Sequence, residues 1–313
     1  MFFVFIINNI TVDNCSDFLE WTHPLKQNNM PIKRYFSPDV LKRIKKDFQF
    51  LIKFINNSYG EFDFSIRDNY FNIYYKGNSL AKVKPIKGNT YRITIHRKFF
   101  NGSKADEQKY FISINDEKKV YRIVILSPKQ LHPFLQKTHL TEFASRIKKV
   151  NNGEEIDFEQ SLITDNMDRE DLIFIDRQIT DTALIRKRLD LLALKQIEEN
   201  KYQFLISEVK LGNNTELKSK VASQLEYYVE HVKTCFTEYK ECYETNFKQK
   251  KELGLIREPK IYNIEIIEPV EGVIIVGGYS KIAELYIIEL NKKYPHLKVM
   301  PLTNKLNFFK NEL

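Results

Sequence analysis

Residues Arg188–Tyr228 read RLDLLALKQIEENKYQFLISEVKLGNNTELKSKVASQLEYY. Two apolar, β-prone runs, 185–194 (IRKRLDLLAL) and 202–209 (YQFLISEV), flank a polar turn with Glu198, Glu199 and Asn200. This is the pattern of a hairpin. Alternate residues of a strand share a face, so Phe204, Ile206, Glu208 and Lys210 point one way and Leu205, Ser207 and Val209 the other. Glu208 and Lys210 therefore share one side of a strand end, and Asp190 on the neighbouring strand can converge with them. Two carboxylates and an ammonium in a half-buried place are costly without partners. A divalent cation would supply one, since Mg²⁺ is commonly held by one or two carboxylates together with phosphate and water. A Glu-x-Lys pair by itself is a commonplace surface ion pair. The spacing to Asp190 and the helix that follows distinguish this one.

That helix is expected from Glu216 to past Val232, with Thr215 as its N-cap. Leu217, Val221, Leu225, Tyr228 and Val232 form its buried stripe. Gln224 lies within the stripe, four residues before Tyr228, and a buried amide there needs hydrogen-bond partners.

The ordered set Asp190, Glu208-Val209-Lys210 and Gln224-x-x-x-Tyr228 resembles the PD-(D/E)XK nuclease superfamily. The likeness is strongest to the branch with a Q-x-x-x-Y helix, as in RecB-type nuclease domains and the archaeal mismatch endonucleases. It covers about residues 151–280, and Leu189 stands where the motif's name places Pro. Such domains carry a Glu on the helix before the first strand, and Glu159 in EEIDFEQSL fits, on one helical face with Ile156 and Ile163. The resemblance implies a restriction-endonuclease-like mixed sheet flanked by helices. It also implies Mg²⁺ or Mn²⁺ held by Asp190, Glu208 and the Val209 carbonyl, with Glu159 adding a direct or water-mediated ligand. Lys210 would then orient or activate water, Gln224 would fix the site or touch phosphate, and Tyr228 would hold the helix to the sheet. The activity implied is a metal-dependent deoxyribonuclease, with an endonuclease favoured. The alternative is a nucleic-acid-binding or scaffolding protein that keeps the fold without turnover.

The rest of the chain adds a second part. The 313 residues suffice for one large or two modest domains. Residues 1–150 carry 26 Lys and Arg against 13 Asp and Glu, and the remainder 23 against 28, within a net charge of +8. A basic half joined to a slightly acidic half points to nucleic acid, and the resemblance implies DNA by preference. Ser37-Pro38 opens an amphipathic helix whose apolar face is Val40, Leu41, Ile44, Phe48, Leu51, Ile52 and Ile55. Its other face carries Lys42, Arg43, Lys45 and Lys46. Alternating runs at 62–67, 70–75, 79–86, 91–99 and 120–126 predict an antiparallel meander. The polar face of the fourth run offers Arg92, His96 and Lys98 among aromatics, a composition that can hold a single strand. A helix is expected from Ser127-Pro128 to about Lys149.

The expected organisation is thus α/β (α+β overall). It comprises an N-terminal extension (1–29), a basic helix-plus-meander domain (30–127), a connecting helix (128–150) and the nuclease domain (151–313). The last includes strands at 171–179, 272–280 and 296–302 and a helix at 281–293. Gly277-Gly278 is read as a turn, because it lacks phosphate-loop spacing. Cys15, Cys235 and Cys242 form no C-x-x-C pair, and His96, His132 and His139 have no metal-ligand spacing. MFFVFIINNI lacks signal-peptide features and is too short to span a membrane. A cytoplasmic protein without membrane association is expected, compatible with a homodimer and with a helicase or ATPase partner.

Overall fold

A computed structural model describes residues 32–108, 113–117, 120–150, 153–181 and 188–303. The N-terminal extension, Cys15 and the first three residues of the expected hairpin lie outside the described residues, as do Asn151 and Asn152 of the turn before the Glu159 helix. Among the described residues, two six-stranded sheets, each flanked by helices, make a mixed α and β structure.

The first sheet joins β1 (Phe62–Arg67), β2 (Tyr70–Tyr75), β3 (Asn78–Ile86), β4 (Thr90–His96), β5 (Ser113–Glu117) and β6 (Tyr121–Leu126). Its order is β1-β2-β3-β4-β6-β5, and every pairing is antiparallel. Alternation sends Phe71, Ile73, Val83, Tyr91, Ile93 and Val124 into one core. Helices α1 (Pro38–Asp47) and α2 (Gln49–Asn56) cover that core with Ile44, Leu51 and Ile55. The helix expected over 38–55 is thus two, broken at Phe48, whose buried ring fills the junction. Ser37 makes no side-chain cap; its N–H donates instead to Asn69 Oδ1 at 2.7 Å.

The run expected as a strand over 91–99 ends at His96, where a single helical turn, α3 (Arg97–Phe100), turns Phe99 and Phe100 inward. The expected connecting helix is also two, α4 (Pro128–Phe134) and α5 (Lys137–Val150). Leu131, Phe134, Leu140 and Phe143 belong to this same first core, so these helices complete it.

The second sheet has the order β12-β11-β9-β8-β7, with β10 (Glu265–Ile266) beside β9. Strands β7 (Leu172–Ile179), β8 (Leu189–Glu198) and β9 (Lys201–Leu211) are antiparallel; β11 (Glu271–Gly277) runs parallel to β9, and β12 (Lys298–Leu302) parallel to β11. The hairpin turn is Glu199-Asn200, with Asn200 at φ 62°, a conformation Asn tolerates. One face (Leu192, Leu194, Phe204, Ile206, Ile274, Val276) meets α8 (Val221–Thr234) and α9 (Phe236–Glu252). The other (Leu191, Val209, Val273, Ile275) meets Leu162 of α6 (Glu154–Asp165). α10 (Ser280–Lys293) links β11 to β12.

A buried ionic knot ties the two sheets together. Asp176 on β7 receives Arg67 of β1 at 2.7 Å, Arg34 at 3.1 Å and the Tyr243 hydroxyl of α9 at 2.9 Å. The α9 side chain Gln249 brackets the Phe36 backbone with two 2.8 Å hydrogen bonds. Among the described residues no helix is long and apolar enough to cross a membrane.

Candidate functional site

The site forms where β8 and β9 part. Their pairing begins at Leu191 opposite Ser207, so Leu189 and Asp190 lie beyond the ladder. The Val209 N–H donates instead to Asp190 Oδ2 at 3.1 Å. This side-chain bond satisfies a buried backbone donor and fixes the carboxyl against β9. Asp190, Glu208 and Lys210 are all buried.

Lys210 occupies the centre of an acidic ring. Its Nζ lies 3.0 Å from Glu208, 3.6 Å from Asp190, 3.6 Å from Glu155 and 4.0 Å from Glu216. Glu155 comes from the first turn of α6, and Glu216 from the single turn α7 (Glu216–Ser219). Asn214 joins them: its amide donates to Glu155 Oε2 at 3.2 Å, and its oxygen accepts from the Glu216 N–H at 2.9 Å. Asn214, not Thr215, therefore supplies the side-chain cap at this helix start, and Thr215 has helical backbone angles. The expected continuous helix also breaks at Lys220.

Glu159 sits one helical turn beyond Glu155. Its Oε2 accepts from Arg177 Nη2 at 3.2 Å, and Arg177 also donates to Gln160. Burial, then the nearby Asp190 charge, push the Glu159 carboxyl up to about 7 against the pull of Arg177. Burial and Asp190 likewise push Glu208 up to about 8, with Lys210 opposing them. Burial works against the Lys210 charge, but Asp190, Glu208 and Glu155 outweigh it and hold the ammonium above its ordinary range. Lys210 is therefore a fixed cation rather than a proton acceptor at neutral pH.

Gln224 is half-buried, and its Oε1 has no hydrogen-bond partner among the described residues; neither has Glu208 Oε2. Tyr228 is buried and donates to the Arg188 carbonyl at 3.0 Å, which pins α8 to the start of β8. Burial, then Glu208 and Asp190, push its hydroxyl up to about 12. All six side chains singled out in the sequence thus lie on the elements that meet here: α6, the β8–β9 strand ends and α8.

Among the described residues, no group of three or more His, Cys, Asp or Glu side chains is arranged to hold a metal ion. The cation at the centre of the acids is Lys210, and Glu159 is engaged by Arg177. The donor set nevertheless fits a hard cation of the Mg²⁺ kind. Its donors are all oxygens, the buried Glu208 Oε2 among them lacks a partner, and two carboxylates suffice where water and phosphate complete the shell.

Sequence reading did not single out Glu155, Glu216, Asn214 or Arg177. Glu155 had a usable signal, lying four residues before Glu159 on the same helical face. Arg177 had another, as a charge inside an apolar strand run. Comparison of the chain with protein-family models, curated proteins and solved structures found no match.

Proposed function

We propose that this protein is a metal-dependent nuclease of the PD-(D/E)XK type that hydrolyses phosphodiester bonds in DNA. One observation carries the reading. A buried lysine and two buried carboxylates converge at the parting of two strands, with more acid than base around them and two buried oxygens unpartnered. Buried, mutually perturbed titratable groups of this kind cluster at functional sites. The antiparallel β7-β8-β9 arrangement with β11 parallel to β9, and α8 carrying Gln224 and Tyr228, support the same assignment.

Asp190, Glu208 and the Val209 carbonyl would hold Mg²⁺ or Mn²⁺. Such an ion stabilises charge on a phosphate and lowers the pKa of bound water. Asp190 is held in place by the Val209 N–H, so it keeps its orientation whichever way Lys210 swings. The Lys210 ammonium would sit beside the scissile phosphate and offset its developing charge. Glu159, with a pKa near neutrality, can hold or release a proton close to Asp190. Tyr228 fixes the helix that presents Gln224.

The test is cleavage of labelled linear and circular DNA, single- and double-stranded, with Mn²⁺, Mg²⁺ or EDTA. Wild type is compared with Asp190→Ala and Lys210→Ala. Metal-dependent cutting by wild type, lost in both variants, is expected. Binding without cutting under any metal would instead assign the chain to the non-catalytic DNA-binding class.

A further inference from the structure

The first sheet buries one face against its helices and leaves part of the other open over β3, β4 and β6. A groove of about 670 Å³ lies on that open part. Lys82, Lys84, Arg92, His96, Lys98 and Tyr121 line it, and no carboxylate among the described residues does. Lys84 and Arg92 stand directly opposite each other across the β3–β4 ladder. Like charges in that position destabilise a sheet unless an anion lies between them. Both are exposed, and neither forms an ion pair with any described residue.

Rings lie beside these cations. Tyr121 is 43% exposed and packs edge-on against His96, with ring centroids 5.6 Å apart. His96 Nδ1 accepts from the Lys98 N–H at 3.1 Å. That bond orients the ring and leaves Nε2 as the donor of the neutral tautomer. At the far side, Lys82 lies 4.1 Å from the centre of the Tyr70 ring. Cations alone would suit any phosphate backbone. An exposed ring beside cations, here Tyr121, suits a strand whose base faces are also exposed, because a duplex keeps those faces within its own stack.

We infer that this open sheet face binds single-stranded DNA, its phosphates on Lys84, Arg92 and Lys98 and a base on Tyr121. The inference rests on the nuclease reading for the choice of DNA and extends it by naming the strand form that the chain grips.

The experiment measures fluorescence anisotropy of a labelled oligothymidine strand, and of a duplex of equal length, with the full chain in EDTA. Wild type is compared with the double variant Lys84→Gln/Arg92→Gln and with Tyr121→Ala, all at solvent-exposed positions. Wild type should bind the single strand more tightly than the duplex. The double variant should bind it about tenfold more weakly, with a salt slope smaller by roughly 1.4, as expected for two lost phosphate contacts. Tyr121→Ala should lose about tenfold on the single strand and little on the duplex. Unchanged affinity and slope in the double variant, or equal losses on both DNA forms in Tyr121→Ala, would overturn the inference. Cleavage assays of wild type run separately. Binding that depends on these residues without any cutting would sink the nuclease reading alone, whereas cutting with full binding by the variants would sink the groove alone.

Discussion

Replacing Glu208 by Gln should make the metal-free protein more stable at alkaline pH. The Glu208 carboxyl is pushed from an ordinary 4.5 up to about 8. Between those values the folded chain retains a proton that the unfolded chain has released. Stability therefore falls as pH rises from about 4.5 to about 8, and the full cost is present above 8. At about 1.4 kcal/mol per pH unit, the cost approaches roughly 5 kcal/mol. Lys210 loses its nearest counter-charge in the variant, which offsets part of the gain, so the substitution should recover on the order of 2–4 kcal/mol. Gln keeps the shape of the protonated acid and stays neutral throughout. Urea unfolding in EDTA should show wild type and Glu208→Gln nearly equal at pH 5. The variant should then lead by an increasing margin to pH 8.5, with a Tm gain of about 3–6 °C there. Millimolar Mn²⁺ should raise the wild-type Tm and leave the variant unmoved, closing the gap. A gap that is constant from pH 5 to pH 9, or a variant less stable at pH 8.5, would refute the placement of this carboxyl in an under-compensated acidic cluster.

Two further substitutions probe the frame around the site. Asp176→Asn should cost about 3–5 kcal/mol at pH 7 in urea unfolding, because Arg34 and Arg67 stay buried without their counter-charge. The loss should shrink at low pH: burial works against the Asp176 charge, but Arg67, Arg34 and Lys250 hold its carboxyl below the usual range, so its contribution is present above about 3.8 and fades as pH falls through the lower folded value. A loss under about 1 kcal/mol at pH 7 would contradict this. Gly277→Ala would place a methyl group 2.4 Å from the Phe158 ring of α6. A destabilisation of about 1–3 kcal/mol is expected from that overpacking. α6 carries Glu155 and Glu159, so DNA cleavage should decline with stability across temperature; full stability in thermal melts would show that the ring can yield.

Periodicity located most of the regular structure, because strands with one buried face must alternate. Phe62–Arg67 and Tyr70–Tyr75 coincide with the runs read from the sequence, and Lys201–Leu211 presents Glu208 and Lys210 on the face of Phe204 and Ile206. Where the chain changes direction inside an apolar run, periodicity carries no warning. Phe48 and Cys235 separate helices although the buried pattern continues on both sides, and Arg97 begins a helical turn in the middle of a β-prone stretch. SINDE, the edge strand β5, has too little alternation to be read as a strand at all. At the site, Asp190, Glu208, Lys210, Gln224 and Tyr228 are near in sequence, so local geometry is enough to relate them. Glu155 and Glu216 resemble solvated acids in the first turns of helices, and only tertiary packing brings them to Lys210. The partner of Arg67 lies 109 residues away, a relation that no local pattern encodes.

Two buried ionic clusters among the described residues are built on opposite balances of charge. Around Asp176 cations exceed anions, and each carboxyl oxygen is occupied: Oδ1 by Arg67 and the Arg177 N–H, Oδ2 by Arg34 and the Tyr243 hydroxyl. Its carboxyl is held low, which stabilises the fold near neutral pH. Around Lys210 anions exceed cations; Glu208 retains an unpartnered oxygen, and both Glu208 and Glu159 are pushed up into the neutral range. A cluster whose only task was cohesion would gain from the first arrangement and lose from the second, since unpaired buried polar groups cost stability. The second cluster also opens where a strand pair parts, and the side chains that would complete its charge balance are absent from the described residues. A positive ligand that enters and leaves is the simplest physical reason for a fold to maintain such a deficit, and under the proposed function a divalent cation would supply that charge beside Asp190 and Glu208.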